Sequence, residues 1–139
     1  MSTPFLVGNG GGFSGDRVDA PVPVVRTLVK RGLPAALFFE TLGERTVALA
    51  QLERRREPSL GYEPMLEPLL EPVLADCFRH RIPILRNYGA ANPPAAAALV
   101  ARLALRLGLP GLRIGLVTGD DVSASIALDQ LPVHEADDS

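Results

Sequence analysis

Apolar residues in this chain gather in four short runs separated by longer stretches with helical spacing. The runs are PFLVG at 4–8, AALFFE at 35–40, IPILRN at 82–87 and RIGLVTG at 113–119. Each has the length of a strand and is apolar at consecutive rather than alternate positions. That is the pattern of strands buried on both faces of a parallel sheet. Helical stretches lie between them at 20–31, 42–56, 72–81 and 93–107. Strand alternating with helix predicts βαβ units with right-handed crossovers. The expected fold class is therefore α/β: a layered, Rossmann-like, mostly parallel sheet of about four strands with flanking helices.

The helix signals differ in quality. NPPAAAALVARLALRLG carries all of them: Asn92 can cap, Pro93 suits the first helical position and Gly108 can end the helix. In ETLGERTVALAQLERRREP, Val47, Leu49 and Leu52 are available to face the sheet, and Pro58 lies beyond the end. EPSLGYEPMLEPLLEPVL is poor, with Glu-Pro pairs at 57–58, 63–64, 67–68 and 71–72. An interior proline costs a helix about 3 kcal/mol. Residues 57–71 thus read as a loop or a badly kinked helix, with regular helix starting near Pro72. Pro21 and Pro23 likewise delay the first helix and leave Asp16 to Ala20 in a loop.

Bulk properties narrow the function classes. A chain of 139 residues is about one domain and buries roughly two-thirds of its unfolded surface. With 47% hydrophobic and 22% charged residues it is a globular rather than a disordered chain. The net charge is −2, and no basic stripe occurs beyond Arg54-Arg55-Arg56, so a nucleic-acid partner is not expected. Those three arginines fit the last turn of a helix, where cations complement the dipole. No signal peptide is legible at the amino terminus, and the longest apolar run, near Pro93 to Ala101, is too short for a bilayer. No membrane partner is expected. A single cysteine, Cys77, excludes an intramolecular disulfide and fits a reducing cytoplasm, and two histidines provide no zinc spacing.

Chemistry-bearing residues follow the carboxyl ends of the four predicted strands. The first run leads into GNGGGFSGDR, with Ser14, Asp16, Arg17 and Asp19. The second ends in Glu40, followed by Glu44 and Arg45; the third in Arg86, Asn87, Tyr88 and Asn92; the fourth in Thr118, Asp120 and Asp121. In an open α/β sheet that edge is one surface, and ligands bind in the crevice outside it. A small-molecule site is expected there. Asp16, Glu40, Glu44, Asp120 and Asp121 are the candidate acid/base groups or ligands for a hard cation such as magnesium. Arg17 and Arg45 suit a carboxylate or phosphate, and Asn87 and Asn92 suit a carbonyl or oxyanion.

Gly10-Gly11-Gly12-Phe13-Ser14-Gly15 also fits G-x-G-x-x-G, the dinucleotide fingerprint, which makes Gly10, Gly12, Ser14 and Gly15 ligand candidates and NAD(P) a candidate cofactor. Against it, Glu40 lies beyond the usual spacing of about 20 residues for the ribose-binding acid. Two carboxylates, Asp16 and Asp19, would also oppose a pyrophosphate. Ser14 lacks the second glycine of a nucleophile elbow, and Cys77 sits among Val73, Leu74 and Phe78 as a core residue would.

The motifs GGGFSGDRVDA, LFFETLGERTVALAQL, GYEPML, NYGAANPPAAA and GLVTGDDV stand in the order found in the acyclic terpene utilisation protein family. The likeness runs from about Gly10 to Val122. The resemblance implies a bacterial, cytoplasmic protein of acyclic terpene catabolism, a route through acyl-CoA thioesters. It also implies the N-terminal part of a larger fold, because family members are several hundred residues long. On this reading residues 1–122 form the α/β domain and 123–139 a divergent, flexible tail. Three functions follow as expectations. One is an enzyme portion acting on a branched acyl-CoA or related carboxylate. The second is a binding module that completes its sheet with another copy or a partner chain. The third is an NAD(P)-dependent oxidoreductase.

Overall fold

A computed structural model of the chain describes residues 3–122 and Ser125. Three parallel strands, β1 (Leu6–Gly11), β2 (Ala35–Phe39) and β3 (Ile84–Arg86), form one sheet in the order β1-β2-β3. Four helices connect or follow them: α1 (Pro21–Arg31), α2 (Glu44–Arg56), α3 (Leu66–Arg79) and α4 (Pro93–Arg106). The fold is α/β, as the alternation predicts.

Register explains which side chains meet. Leu6 pairs with Ala35 and Gly8 with Leu37, while Leu37 and Phe39 pair with Ile84 and Arg86 of β3. Successive side chains of a strand point to opposite faces. Ala35, Leu37 and Phe39 therefore share one face, and there they join a single core with Val25 and Leu28 of α1, Leu66, Leu70 and Leu74 of α3, and Val100 and Leu103 of α4. The alternate positions tell the opposite story: Val7 is 70% exposed, Phe38 40% and Leu85 53%, although the smaller Ala36 is buried. Burial on both faces, expected from the continuous apolar runs, is not met. Among the described residues the helices cover one face only.

The fourth predicted strand is also absent. Residues 113–119 follow an irregular path, and Val117 within them is 92% exposed. A ladder needs a partner edge and a chain that favours extension. β3 offers three residues, and Gly115 and Gly119 weaken the segment's own strand preference. Among the described residues the sheet has three strands instead of four.

Helix starts follow local chemistry. α1 begins with Pro21 at a position whose N–H needs no acceptor, and it ends at the left-handed Gly32, whose N–H donates to the Leu28 and Val29 carbonyls. α4 begins as expected: Asn92 Oδ1 accepts from the Ala95 N–H. α3 corrects the proline reading, because it starts at Leu66 and runs through Pro72. Pro68 falls in the first turn, where no helical donor is lost. Pro72 forfeits one hydrogen bond, but Leu66, Leu69, Leu70, Val73, Leu74 and Cys77 are all buried. At roughly 1.5–3 kcal/mol for each large apolar side chain, their burial outweighs about 3 kcal/mol for the proline.

α2 departs from expectation in its packing. Leu49 and Leu52 are exposed, and Ala50 alone of this helix is buried. The helix docks on a loop, not on the sheet. A methyl group on Gly61 would lie 2.7 Å from Arg54 Cβ and 2.8 Å from the Ala50 carbonyl, and Gly61 adopts φ 93°. Only glycine lets the 57–65 connection pass that closely in that conformation.

Candidate functional site

The carboxyl ends of β1 and β2 are stitched together: the Glu40 N–H donates to the Gly11 carbonyl at 3.1 Å. Beyond them, Asn87 after β3 acts as a clasp. Its Nδ2 donates to Glu40 Oε1 at 2.9 Å, and its Oδ1 accepts from the Thr41 N–H at 3.0 Å. The Leu42 N–H also donates to Glu40 Oε1, at 2.9 Å. These two bonds, the Asn87 amide first, hold the Glu40 carboxyl below the usual carboxylate range. Glu40 is thus an ionised acceptor at neutral pH.

Other candidates occupy separate neighbourhoods. Asp16 closes the glycine turn, with its two oxygens accepting from the Gly12 N–H at 3.0 Å and the Arg17 N–H at 2.7 Å. Arg17 grips Asp19 with two bonds of 2.7 and 2.6 Å, both side chains in solvent. Ser14 is half-buried, and Glu44 and Arg45 are exposed at the start of α2. Asp121 lies 3.5 Å from Arg54 on α2, and Asp120 lines a cleft beside β3. Among the described residues these carboxylates stand in separate places and not in one cluster. Among the described residues no three His, Cys, Asp or Glu side chains are grouped to hold a metal ion.

Asn92 and Gly10 have structural duties. Asn92 caps α4 with its oxygen while its Nδ2 donates to the Pro58 and Leu60 carbonyls, at 2.9 and 2.7 Å. Gly10 lies in β1, where an added methyl would come within 2.5 Å of the Phe39 ring. The fingerprint glycines accordingly begin inside a strand. Gly12 and Gly15 follow on an exposed loop, and α1 starts only at Pro21. A dinucleotide loop needs its glycines at the mouth of a helix.

A cleft of about 1450 Å³ opens beside β3, lined by Phe38 and Leu85 from the sheet, Leu70 and Leu74 of α3, Val100 of α4, and the irregular 111–120 segment. Arg86, Asn87 and Tyr88 line it at the strand's carboxyl end. Arg86 and Tyr88, read at the strand end but given no role, and Glu63, which the sequence reading did not single out, stand out here. Tyr88 is 1% exposed and its ring packs against Phe39 with centroids 5.2 Å apart, while the Arg86 guanidinium lies 5.5 Å from the Tyr88 ring centre. Yet Tyr88 Oη, Arg86 Nη1 and Glu63 Oε2 are buried with no hydrogen-bond partner. Glu63 itself is 2% exposed, and its other oxygen accepts from the Met65 N–H at the start of α3. Burial pushes the Tyr88 phenol up; Arg86 opposes the shift, and the Glu63 and Asp16 carboxylates reinforce it. Burial lowers the Arg86 pKa to about 10. A sequence signal existed for this pair: an arginine ending an apolar strand run, with a tyrosine two residues on.

With the geometry in view, comparison with known families is decisive. The family model described as acyclic terpene utilisation family protein AtuA matches residues 5–138. The chain belongs to this family. The AtuA match continues past Val122, where the motif likeness stops, through residues that lie mostly outside the described ones. Among curated proteins and solved structures no match was found. No helix among the described residues of this AtuA-family chain is long and apolar enough to cross a membrane.

Proposed function

We propose that this AtuA-family chain is the ligand-binding part of an enzyme of acyclic terpene catabolism, acting on a branched acyl-CoA or the related carboxylate. One observation carries the reading: a large, mainly apolar cleft opens at the carboxyl end of β3, beside the Glu40–Asn87 clasp. An acyl chain suits the apolar lining, and the polar strand ends suit its head group. Glu40 is the first general-base candidate, held ionised but made a weaker base by the bonds that lower its pKa. Asp16 and Asp120 are the further acid/base candidates, while Arg45 is available to an anionic group of the ligand. Magnesium, if used, would arrive with the ligand's phosphates, since that ion commonly needs only one or two protein carboxylates.

Thermal denaturation with a panel of branched acyl-CoAs, with and without magnesium, tests this. Ligand at a hundredfold excess over its Kd stabilises by about 2.7 kcal/mol, a readily measured upward shift in Tm. Absence of any shift across the panel would remove the reading.

A second reading is an assembly module, and the bare sheet face favours it. Val7, Phe38 and Leu85 form an apolar surface of the kind a partner chain or another copy covers. Light scattering giving a monomer at micromolar concentration, with no co-purifying chain, would count against it.

A further inference from the structure

The charged side chains lining the cleft are Arg79, Arg81, Arg86, Arg113 and Asp120, four cations and one anion in a chain of net charge −2. The cleft is therefore cationic on a protein that is not. Among these arginines Arg86 stands apart. Arg79 is paired with Asp76, whereas Arg86 has a buried Nη1 without a hydrogen-bond partner and no ion pair among the described residues. Two residues on, the Tyr88 hydroxyl is buried and equally unpartnered. Arg86 is only half-buried as a residue, but a buried N–H without an acceptor is costly to keep, and so is a buried hydroxyl without one. Glu63 Oε2, the third unpartnered buried atom among the described residues, is an acceptor yet bonds neither donor, so both are left to an acceptor from outside the chain. The rest of the lining defines what accompanies it: Leu70, Leu74, Ala96 and Val100 form an apolar wall along α3 and α4.

We infer that Arg86 and Tyr88 are the head-group site for the free carboxylate of an aliphatic acid, whose hydrocarbon chain lies along the α3–α4 wall. The inference deepens the acyl-ligand reading above and rests on it. Arg86 Nη1 donates to one carboxylate oxygen and Tyr88 Oη donates to the same group. Both donors are in the required state: the guanidinium is still charged at neutral pH, and the raised phenol keeps its proton. An alcohol or aldehyde of the same chain length satisfies neither donor as well, since bonds to an ionised acceptor are roughly twice as strong as neutral ones.

Calorimetric titration of the 139-residue chain with octanoate and with 1-octanol tests the assignment, using Arg86→Gln and Tyr88→Phe. Octanoate is expected to bind about tenfold or more tighter than octanol, and Arg86→Gln to erase that preference while leaving octanol affinity unchanged. Tyr88→Phe should lose a smaller, several-fold part. Without ligand, Arg86→Gln should melt close to the parent temperature, because it loses the contact with the Tyr88 ring together with the buried, unpartnered Nη1. Undiminished octanoate binding by folded Arg86→Gln overturns the inference, as does equal affinity of the parent for octanoate and octanol. Should Arg86→Gln fail to fold, Tyr88→Phe decides, and unchanged octanoate affinity there overturns it. Acyl-CoA stabilisation in the parent together with Arg86-independent octanoate binding removes this assignment and leaves the wider reading standing. Arg86-dependent octanoate binding with no response to any acyl-CoA does the reverse.

Discussion

The two faces of the sheet are built from the same strands but live in different surroundings. Phe39 and Phe38 are neighbours in β2; the first is fully buried against Tyr88 and the helices, and the second is exposed. Leu37 and Leu85 differ in the same way. Composition does not distinguish these positions, since both sets are apolar. What distinguishes them is whether a helix arrives. Apolar character along a parallel strand records readiness for cover on both sides, whereas the helices of the described chain supply cover on one.

The comparison can be broken by substitution. Phe39→Ala should lose about 3–5 kcal/mol of stability in urea or thermal unfolding, and Phe38→Ala within about 1 kcal/mol. Equal losses would mean that the second face is covered in solution. At the next level, Gly10→Ala should cost about 1–3 kcal/mol, because its methyl would strike the Phe39 ring on the packed face. Gly12→Ala, with nothing within 4 Å, should be close to neutral.

Smaller effects sharpen the same contrast at the edge between the faces. The Glu40 carboxyl has a folded-state pKa below its ordinary 4.5. Its contribution to stability is therefore present above that value and lost as the pH falls through the lowered one. Asn87→Ala should raise the Glu40 titration midpoint, seen by carboxyl-carbon NMR, and move the onset of acid unfolding to higher pH. The smallest readout is Cys77, whose thiol is pushed up to about 12 by burial and by Asp76. It should stay unlabelled by a disulfide reagent at pH 8 until the helices of the packed face open.

Much of this was legible in the sequence, for local reasons. The α4 boundaries follow from Asn92, Pro93 and Gly108, and three of the four apolar runs become strands in the expected parallel order. α3 was not legible, because proline propensity is a local cost, while the burial that overrides it depends on α1 and α4 arriving from elsewhere. Residues 113–119 fail for the complementary reason: an apolar run is only a candidate strand until an edge accepts it. The site divides similarly. Glu40 and Asn87 were found by position at strand ends and do meet, whereas Asp16, Arg17 and Glu44 share that edge and find other partners or none. Arg86 and Tyr88 were visible at a strand end without a role, whereas Glu63 stands out only through an atom left unsatisfied after folding, which no spacing rule reports.

The connection at 57–65 carries almost no regular structure, yet it is held at many points. Asn92 binds two of its carbonyls, the Ala91 N–H donates to the Gly61 carbonyl at 2.9 Å, and the Glu63 N–H donates to the Tyr88 carbonyl at 2.9 Å. Arg54 reaches across to the Ala91 carbonyl at 2.6 Å. In deuterated solvent the Glu63 and Ala91 amides should therefore keep their protons about as long as those of the neighbouring helices. A protease probing the native chain should likewise pass over this stretch and cut first in the solvent-exposed turn between β1 and α1.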